Sequence, residues 1–88
     1  MRTTVTVDFY TKKNCPLCED ALELLNELAR EMEIEVKPFD IYEDDQLLEA
    51  YQLKIPVIAV DGHELGYGKF SREPLRKKLN GFRADLID

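Results

Sequence analysis

The sequence predicts a single α/β domain over residues 1–88, with a four-stranded mixed sheet flanked by three helices in the order β-α-β-α-β-β-α. Three observations support this prediction. A chain of 88 residues is too short for two hydrophobic cores, since single domains contain roughly 50–200 residues. Segments of alternating apolar and polar residues are interleaved with segments whose apolar residues recur at helical spacing. Finally, the pair Asp61-Gly62 is a strong hairpin signal between the last two predicted strands.

The first strand and the first helix have the clearest patterns. Residues 4–10 alternate along a run rich in β-branched and aromatic side chains, which predicts a strand. A polar loop follows, and from Pro16 onward the apolar residues recur at helical spacing. Pro16 suits the first helical position because its missing N–H would be unpaired there in any case. The predicted apolar face of this helix consists of Cys18, Leu22, Leu25, Ala29 and Met32, widened by Ala21, Leu24 and Leu28.

The middle of the chain predicts two strands separated by a short helix. Residues 34–39 alternate as a strand, and residues 40–44 form a loop into a short helix over residues 45–51. Residues 56–60 are the densest apolar run and predict a buried strand. Because a β-α-β unit crosses over between parallel strands, the first two strands are expected to be parallel.

The end of the chain predicts a hairpin strand and a final helix. The strand after Asp61-Gly62 is expected to be antiparallel and to cover only residues 63–65, because Gly66-Tyr67-Gly68 interrupts the pattern. Ser71 is a candidate cap for the last helix, and Gly81 is a candidate stop. Whether residues 82–88 extend this helix is left open by the sequence.

Composition and charge disfavour several classes of protein. The net charge of −6 disfavours a phosphate-binding surface and hence nucleic acid. The chain has no stretch of about 18 uncharged apolar residues that would form a transmembrane helix. Residues 1–8 lack the apolar core of a signal peptide. We therefore expect a cytoplasmic monomer that binds neither membranes nor nucleic acid.

The two cysteines, Cys15 and Cys18, are the strongest chemical signal. A disulfide between residues this close closes almost no chain and adds little stability by loop closure. A structural zinc ion usually needs four ligands, and the chain offers only these two thiols and His63. His63 follows the predicted hairpin turn, where a solvated residue is more common than a catalytic base. The pair therefore predicts redox chemistry, with a structural or vestigial pair as the alternative.

The position of the pair at a strand-to-helix junction indicates separate roles for the two thiols. The first turn of a helix favours a thiolate through its unpaired N–H groups and its dipole, and Lys12 and Lys13 add positive charge. Cys15 is the outer residue and is predicted to be the attacking thiolate. Cys18 lies one turn inside and is predicted to attack the mixed disulfide that Cys15 forms.

The run FYTKKNCPLC over residues 9–18, together with Lys54-Ile55-Pro56-Val57, resembles the glutaredoxin branch of the thioredoxin superfamily. The resemblance extends through the order of elements over nearly the whole chain. The chain is also similar to small glutaredoxin-like proteins and to the redoxins that serve ribonucleotide reductase. It implies a thioredoxin-like fold in which Pro56 is cis and faces the cysteines. The Ile55 backbone would then be free to pair with an extended substrate or glutathione.

The chain departs from glutathione-dependent glutaredoxins at two places. Those proteins usually have a Gly-Gly pair followed by an acidic or hydroxyl residue, whereas here Tyr67 replaces the second glycine and Lys69 follows. Leu17 replaces the aromatic residue that is frequent between the cysteines. Lys12, in contrast, matches a basic residue that contacts the glycyl carboxylate of glutathione. The family also has members with a buried acid near the cysteines, a position that Asp8 would occupy unless it is exposed.

These features leave three functions open. The preferred one is a thiol-disulfide oxidoreductase that reduces protein disulfides and is itself reduced by a flavoprotein of the thioredoxin reductase type. The second is a glutathione-dependent glutaredoxin that reduces mixed disulfides. The third is a non-catalytic module that binds metal between two chains through the cysteine pair. No bound cofactor is expected, and glutathione is the alternative reductant. The predicted substrate-binding residues are Lys12, Pro16, Leu17, Ile55 and Pro56.

Overall fold

A computed structural model describes residues 4–87 of the chain. Its elements are β1 (Val5–Thr11), α1 (Pro16–Ala29), β2 (Ile34–Asp40), α2 (Asp45–Tyr51), β3 (Val57–Val60), β4 (His63–Tyr67) and α3 (Arg72–Ile87). A single turn of 3₁₀ helix, Ile41–Glu43, occupies part of the predicted loop between β2 and α2. The predicted order of strands and helices is confirmed. Within residues 4–87, no helix has the length and apolar character needed to cross a membrane.

The four strands form one mixed sheet in the order β2-β1-β3-β4. β1 is parallel to β2, whereas the β1–β3 and β3–β4 pairs are antiparallel. Thr11 pairs with Asp40 at the ends of β1 and β2, and Val57 pairs with Tyr67 where β3 begins and β4 ends. Tyr10 of β1 also pairs with Val57. We call the edge of the sheet where β1, β2 and β4 end and β3 begins the upper edge.

The hydrophobic core lies on one face of the sheet, beneath α1 and α3. Every second residue of β1 points into it, because side chains alternate between the two faces of a strand. Burial of a large apolar side chain contributes roughly 1.5–3 kcal/mol, so this core is the main source of stability. Its members include Val5, Val7, Phe9, Ala21, Leu25, Leu28, Ile58, Val60, Leu75 and Leu79, together with both cysteines.

The buried face of α1 is narrower than the predicted one. Its buried residues are Cys18, Ala21, Leu25 and Leu28, whereas the predicted members Leu22 and Ala29 are exposed. The widened predicted face contains all four buried residues, but helical spacing alone cannot show which part of that face meets the sheet. That choice depends on how the helix is rotated against the sheet.

The opposite face of the sheet carries α2 and a small aromatic cluster. The ring of Tyr10 stacks on Phe39, with centroids 5.5 Å apart, and on Tyr51, at 4.6 Å. The start of α2 is fixed by Asp44, whose carboxylate accepts hydrogen bonds from two backbone N–H groups of the first turn, those of Gln46 (2.8 Å) and Leu47 (3.4 Å). The predicted start of this helix is therefore confirmed.

The prediction that β4 ends at Leu65 is wrong. The strand continues to Tyr67, because Leu65 forms a bulge: Ala59 pairs with Glu64, but Ile58 pairs with Gly66. Gly66 has a φ of 155° and lies close to the ring of Phe70, which would be 3.2 Å from an added Cβ atom. A glycine at this position therefore permits the strand to continue.

The prediction that Gly81 ends the last helix is also wrong. α3 begins after Ser71, whose carbonyl accepts a hydrogen bond from the Leu75 N–H (3.3 Å), and it runs through Gly81 to Ile87. A helical glycine costs only about 1 kcal/mol relative to alanine, which the rest of a long helix can offset. Residue 88 lies outside the described residues.

We expect Gly81→Ala to raise the free energy of unfolding by about 0.5–1 kcal/mol. Alanine restricts the unfolded chain and favours the helix, and the space around Gly81 is open. Urea denaturation of the two proteins measures the difference. A loss of stability of similar size would instead indicate that Gly81 ends the helix in a left-handed conformation.

Candidate functional site

The two cysteines lie at the upper edge of the sheet, at the start of α1. Cys15 is the N-cap residue of the helix and has an extended backbone, and Cys18 lies in the first turn. Their Cα atoms are 5.1 Å apart and their sulfur atoms form a disulfide. The predicted strand–loop–helix placement of the pair is confirmed.

The local geometry distinguishes Cys15 from Cys18. The Sγ atom of Cys15 accepts a hydrogen bond from the Cys18 N–H at 3.2 Å. In the reduced protein the same N–H and the positive end of the helix dipole would stabilise a thiolate on Cys15. Cys15 is 8% exposed and Cys18 is 3% exposed, and both contact the hydrophobic core. That Cys15 is the attacking thiolate stays a prediction.

Pro56 lies at the upper edge of the sheet, immediately before β3. The Ile55–Pro56 peptide bond is cis, as predicted. The Pro56 carbonyl accepts a hydrogen bond from the Gly68 N–H at 2.9 Å, which links the loops before β3 and after β4. Ile55 packs against the core cluster that contains both cysteines. Among the described residues, its backbone N–H and carbonyl make no hydrogen bond, so they are available to an extended segment.

The other predicted substrate-binding residues surround the cysteines on the surface. Pro16 is exposed, Leu17 is 43% exposed, and Lys12 is half-buried. Lys12 lines an open groove next to the cysteine loop, and the acidic side chains Asp40 and Glu43 line the same groove. A carboxylate ligand in this groove would meet positive and negative charge together.

A contact between Lys54 and Tyr67 at this edge was not predicted from the sequence. The ammonium group of Lys54 lies over the ring of Tyr67, 5.7 Å from its centroid, and Tyr67 is 59% exposed. The replacement of a glycine by Tyr67 was visible in the sequence. Its contact with Lys54 depends on the pairing of β3 with β4, which places the two residues side by side although thirteen positions separate them.

His63 and Asp8 do not take part in the site. His63 is exposed at the beginning of β4, away from the upper edge, with its ring 6.2 Å from that of Phe82. Asp8 points to the face of the sheet opposite the cysteine-containing core, since its neighbours Val7 and Phe9 point into that core. Asp8 is therefore not a buried acid beside the cysteines.

The charge of Asp8 acts on Tyr10 instead. Burial raises the pKa of Tyr10 above its usual value, and the negative charges of Asp8 and Glu64, together with that of Tyr51 when it is ionised, act in the same direction. Burial and Glu64 also raise the pKa of Tyr51. These tyrosines therefore remain neutral in the stacked cluster at physiological pH.

Residues 6–80 match the sequence family described as the glutaredoxin-like domain (DUF836). The chain belongs to the glutaredoxin-like family. It is also 32% identical over 79 residues to a probable thioredoxin of Methanothermobacter thermautotrophicus, an alignment that covers 86% of this chain and 93% of that protein. The family predicted from the cysteine motif and the Ile-Pro step is thus confirmed.

Solved structures confirm the thioredoxin-like fold of this glutaredoxin-like protein. A structural genomics target protein from X. campestris superposes with a TM-score of 0.73 at 32% identity, covering 85% of this chain and 96% of that chain. A mutant thioredoxin from Halobacterium salinarum superposes with a TM-score of 0.71 at 19% identity, covering 90% of this chain and 74% of that chain. The second likeness concerns the fold alone.

Proposed function

We propose that this glutaredoxin-like protein is a thiol-disulfide oxidoreductase that reduces disulfides in other proteins through Cys15 and Cys18. The observation that carries this proposal is the disulfide at the N-terminus of α1, in which the Cys15 sulfur accepts the Cys18 N–H. A helix terminus is a site that activates a thiol, and the second cysteine lies close enough to close the disulfide. Membership of the glutaredoxin-like family supports the same chemistry.

In the first step of this mechanism the Cys15 thiolate attacks one sulfur of a substrate disulfide. A Cys15–substrate disulfide forms while the substrate's own S–S bond breaks, and the second substrate sulfur leaves as a thiolate that takes up a proton. The Ile55 backbone would hold an extended substrate next to Cys15 by strand-like pairing. Pro16, Leu17 and Pro56 would contact its side chains.

In the second step the Cys18 sulfur, after loss of its proton, attacks Cys15 Sγ. The Cys15–Cys18 disulfide forms, and the first substrate sulfur leaves and is protonated. The reduced dithiol has then transferred two electrons and two protons to the substrate disulfide. A reductant must return them before the next turnover.

We propose a flavoprotein of the thioredoxin reductase type as that reductant. Tyr67 replaces the second glycine of glutathione-dependent glutaredoxins, and Lys69 replaces their acidic or hydroxyl residue. In addition, the groove at Lys12 contains the acidic side chains Asp40 and Glu43. The first feature removes the residues that hold the γ-glutamyl end of glutathione in those relatives. The second places negative charge beside the groove for its glycyl carboxylate. Lys12 favours the alternative, in which glutathione reduces the protein.

The reduction potential of the Cys15–Cys18 pair separates these possibilities. The protein is equilibrated in thiol–disulfide buffers of known potential, and its free thiols are alkylated and counted by mass spectrometry. A midpoint near about −270 mV, typical of thioredoxin, supports reduction by a flavoprotein. A midpoint between about −200 and −230 mV supports glutathione. If no intramolecular disulfide forms in any buffer, both redox functions fail and a metal-binding module shared by two chains becomes the better hypothesis.

A further inference from the structure

Exposed apolar side chains are concentrated around the cysteine pair. Among the described residues, six large apolar or aromatic side chains are markedly exposed, and five of them lie within two residues of the loops at the upper edge. These five are Leu17, Phe39, Tyr42, Leu53 and Tyr67. Leu53, in the loop before β3, is 93% exposed. A concentration of this kind is typical of a surface that contacts another protein.

Three of the loops at the upper edge carry positive charge, although the chain has a net charge of −6. The loops that follow β1, precede β3 and follow β4 contain no acidic residue. They contribute Lys12, Lys13, Lys54 and Lys69. Within the described part of the chain, none of these lysines forms an ion pair. Their charge is therefore available to a binding partner.

The acidic residues of the upper edge follow β2, which is the outer strand next to β1. The carboxylates of Asp40 and Asp44 accept hydrogen bonds from backbone N–H groups of the turn that follows them. Lys12 and Lys13 share a groove with Asp40 and Glu43, whereas Lys54 and Lys69 lie in the loops next to β3 and β4, away from β2 in the sheet order. We call the part of the edge that carries Lys54 and Lys69 the positive side.

The Lys54–Tyr67 contact is the best-defined element of the positive side. The Lys54 ammonium lies over the exposed Tyr67 ring. The hydrogen bond from the Gly68 N–H to the Pro56 carbonyl holds the two loops together next to this contact. Lys54 directly precedes Ile55, whose backbone makes no hydrogen bond within residues 4–87. A strand that pairs with Ile55 would therefore pass beside an aromatic ring and an ammonium group.

We propose that the upper edge binds an extended protein segment whose disulfide is flanked by acidic side chains, and that the Lys54–Tyr67 contact determines this preference. Lys54 would attract a carboxylate of the segment, and Tyr67 would pack against an apolar side chain beside it. Charge complementarity of this kind raises the rate of encounter and selects among partners. This inference rests on the proposed function, because it names the class of protein disulfide that the enzyme reduces.

The test compares two peptides that contain the same disulfide, one flanked by glutamate and the other by lysine at the same positions. The second-order rate constant for oxidation of the reduced protein by each peptide is measured, and each is divided by its rate constant with dithiothreitol to correct for intrinsic reactivity. We expect a ratio of about three to ten in favour of the acidic peptide at low ionic strength. At 1 M salt the ratio should approach one.

Two charge-reversing variants show whether Lys54 sets the ratio. Lys54→Glu should bring the ratio to about one or below it. Arg30→Glu makes the same change of charge just after the last residue of α1, about 20 Å along the helix from Cys15, and should leave the ratio as in the parent protein. If both variants lower the ratio equally, net charge and not the Lys54–Tyr67 contact is responsible.

The remaining outcomes separate this inference from the proposed function. Rapid reaction with both peptides at a ratio near one would overturn the preference for acidic segments and leave the reductase function intact. Faster reaction with oxidised glutathione than with the acidic peptide would identify glutathione as the occupant of this surface. If the reduced protein reacts with none of these disulfides, the proposed function fails, and this inference fails with it.

Discussion

Cys15→Ser is expected to reduce the rate of disulfide reduction by at least about a thousandfold, because it removes the attacking sulfur. Cys18→Ser is expected to react once and then stop. Its Cys15 can still form a disulfide with the substrate, but no second thiol is present to release it. The difference follows from the structure: Cys15 caps α1 from outside the helix, and Cys18 lies inside the first turn toward the core.

The two variants are best compared without an external reductant, so that the identity of the natural donor does not matter. Each reduced variant is mixed with a protein disulfide and analysed by non-reducing electrophoresis and mass spectrometry. The Cys18→Ser protein should accumulate an adduct that contains one substrate molecule and is dissolved by dithiothreitol. The doubly substituted protein, Cys15→Ser with Cys18→Ser, is the control and should form none. An adduct on Cys15→Ser alone would reverse the assigned roles, and small equal losses of activity in both variants would contradict the catalytic function.

The cysteine pair could be predicted from the sequence because its environment is local. The strand, the loop, Pro16 and the first helical turn are all contained in residues 5–18, so their pattern specifies where both sulfur atoms lie. The same holds for the hairpin at Asp61-Gly62. Both residues have positive φ angles, 51° and 81°, as the tight turn between twisted antiparallel strands requires.

The positive surface beside the cysteines could not be predicted in the same way because it is assembled from three separate loops. Lys54 and Tyr67 contact each other only when β3 and β4 pair in the observed register, and a bulge at Leu65 shifts that register by one residue. A strand ending at Leu65, as the glycines suggested, would leave Tyr67 outside the sheet. The register depends on packing across the whole sheet and is not encoded in any short pattern.

The orientation of α1 is a further feature that depends on packing and not on local pattern. A stripe through Cys18, Leu22 and Leu25 and one through Cys18, Ala21 and Leu25 are both compatible with helical spacing. Which stripe is covered depends on how the helix packs against the sheet. The structure selects the stripe with Ala21, whose small side chain is 3% exposed, and leaves Leu22 36% exposed.

The same substitution at two positions of α1 tests this orientation and is expected to give very different results. Leu25 is completely buried in the core, so Leu25→Ala removes buried methyl groups and leaves a cavity, which should lower the free energy of unfolding by about 2–5 kcal/mol. Leu22→Ala shortens a side chain that is 36% exposed and lies outside the core cluster, and it should cost less than about 1 kcal/mol. Alanine favours the helix slightly at either position, so helix propensity cannot produce the difference.

Urea denaturation should show a lower midpoint for Leu25→Ala with little change in the slope. Equal losses at the two positions would mean that α1 is rotated on the sheet so that Leu22 is buried as deeply as Leu25.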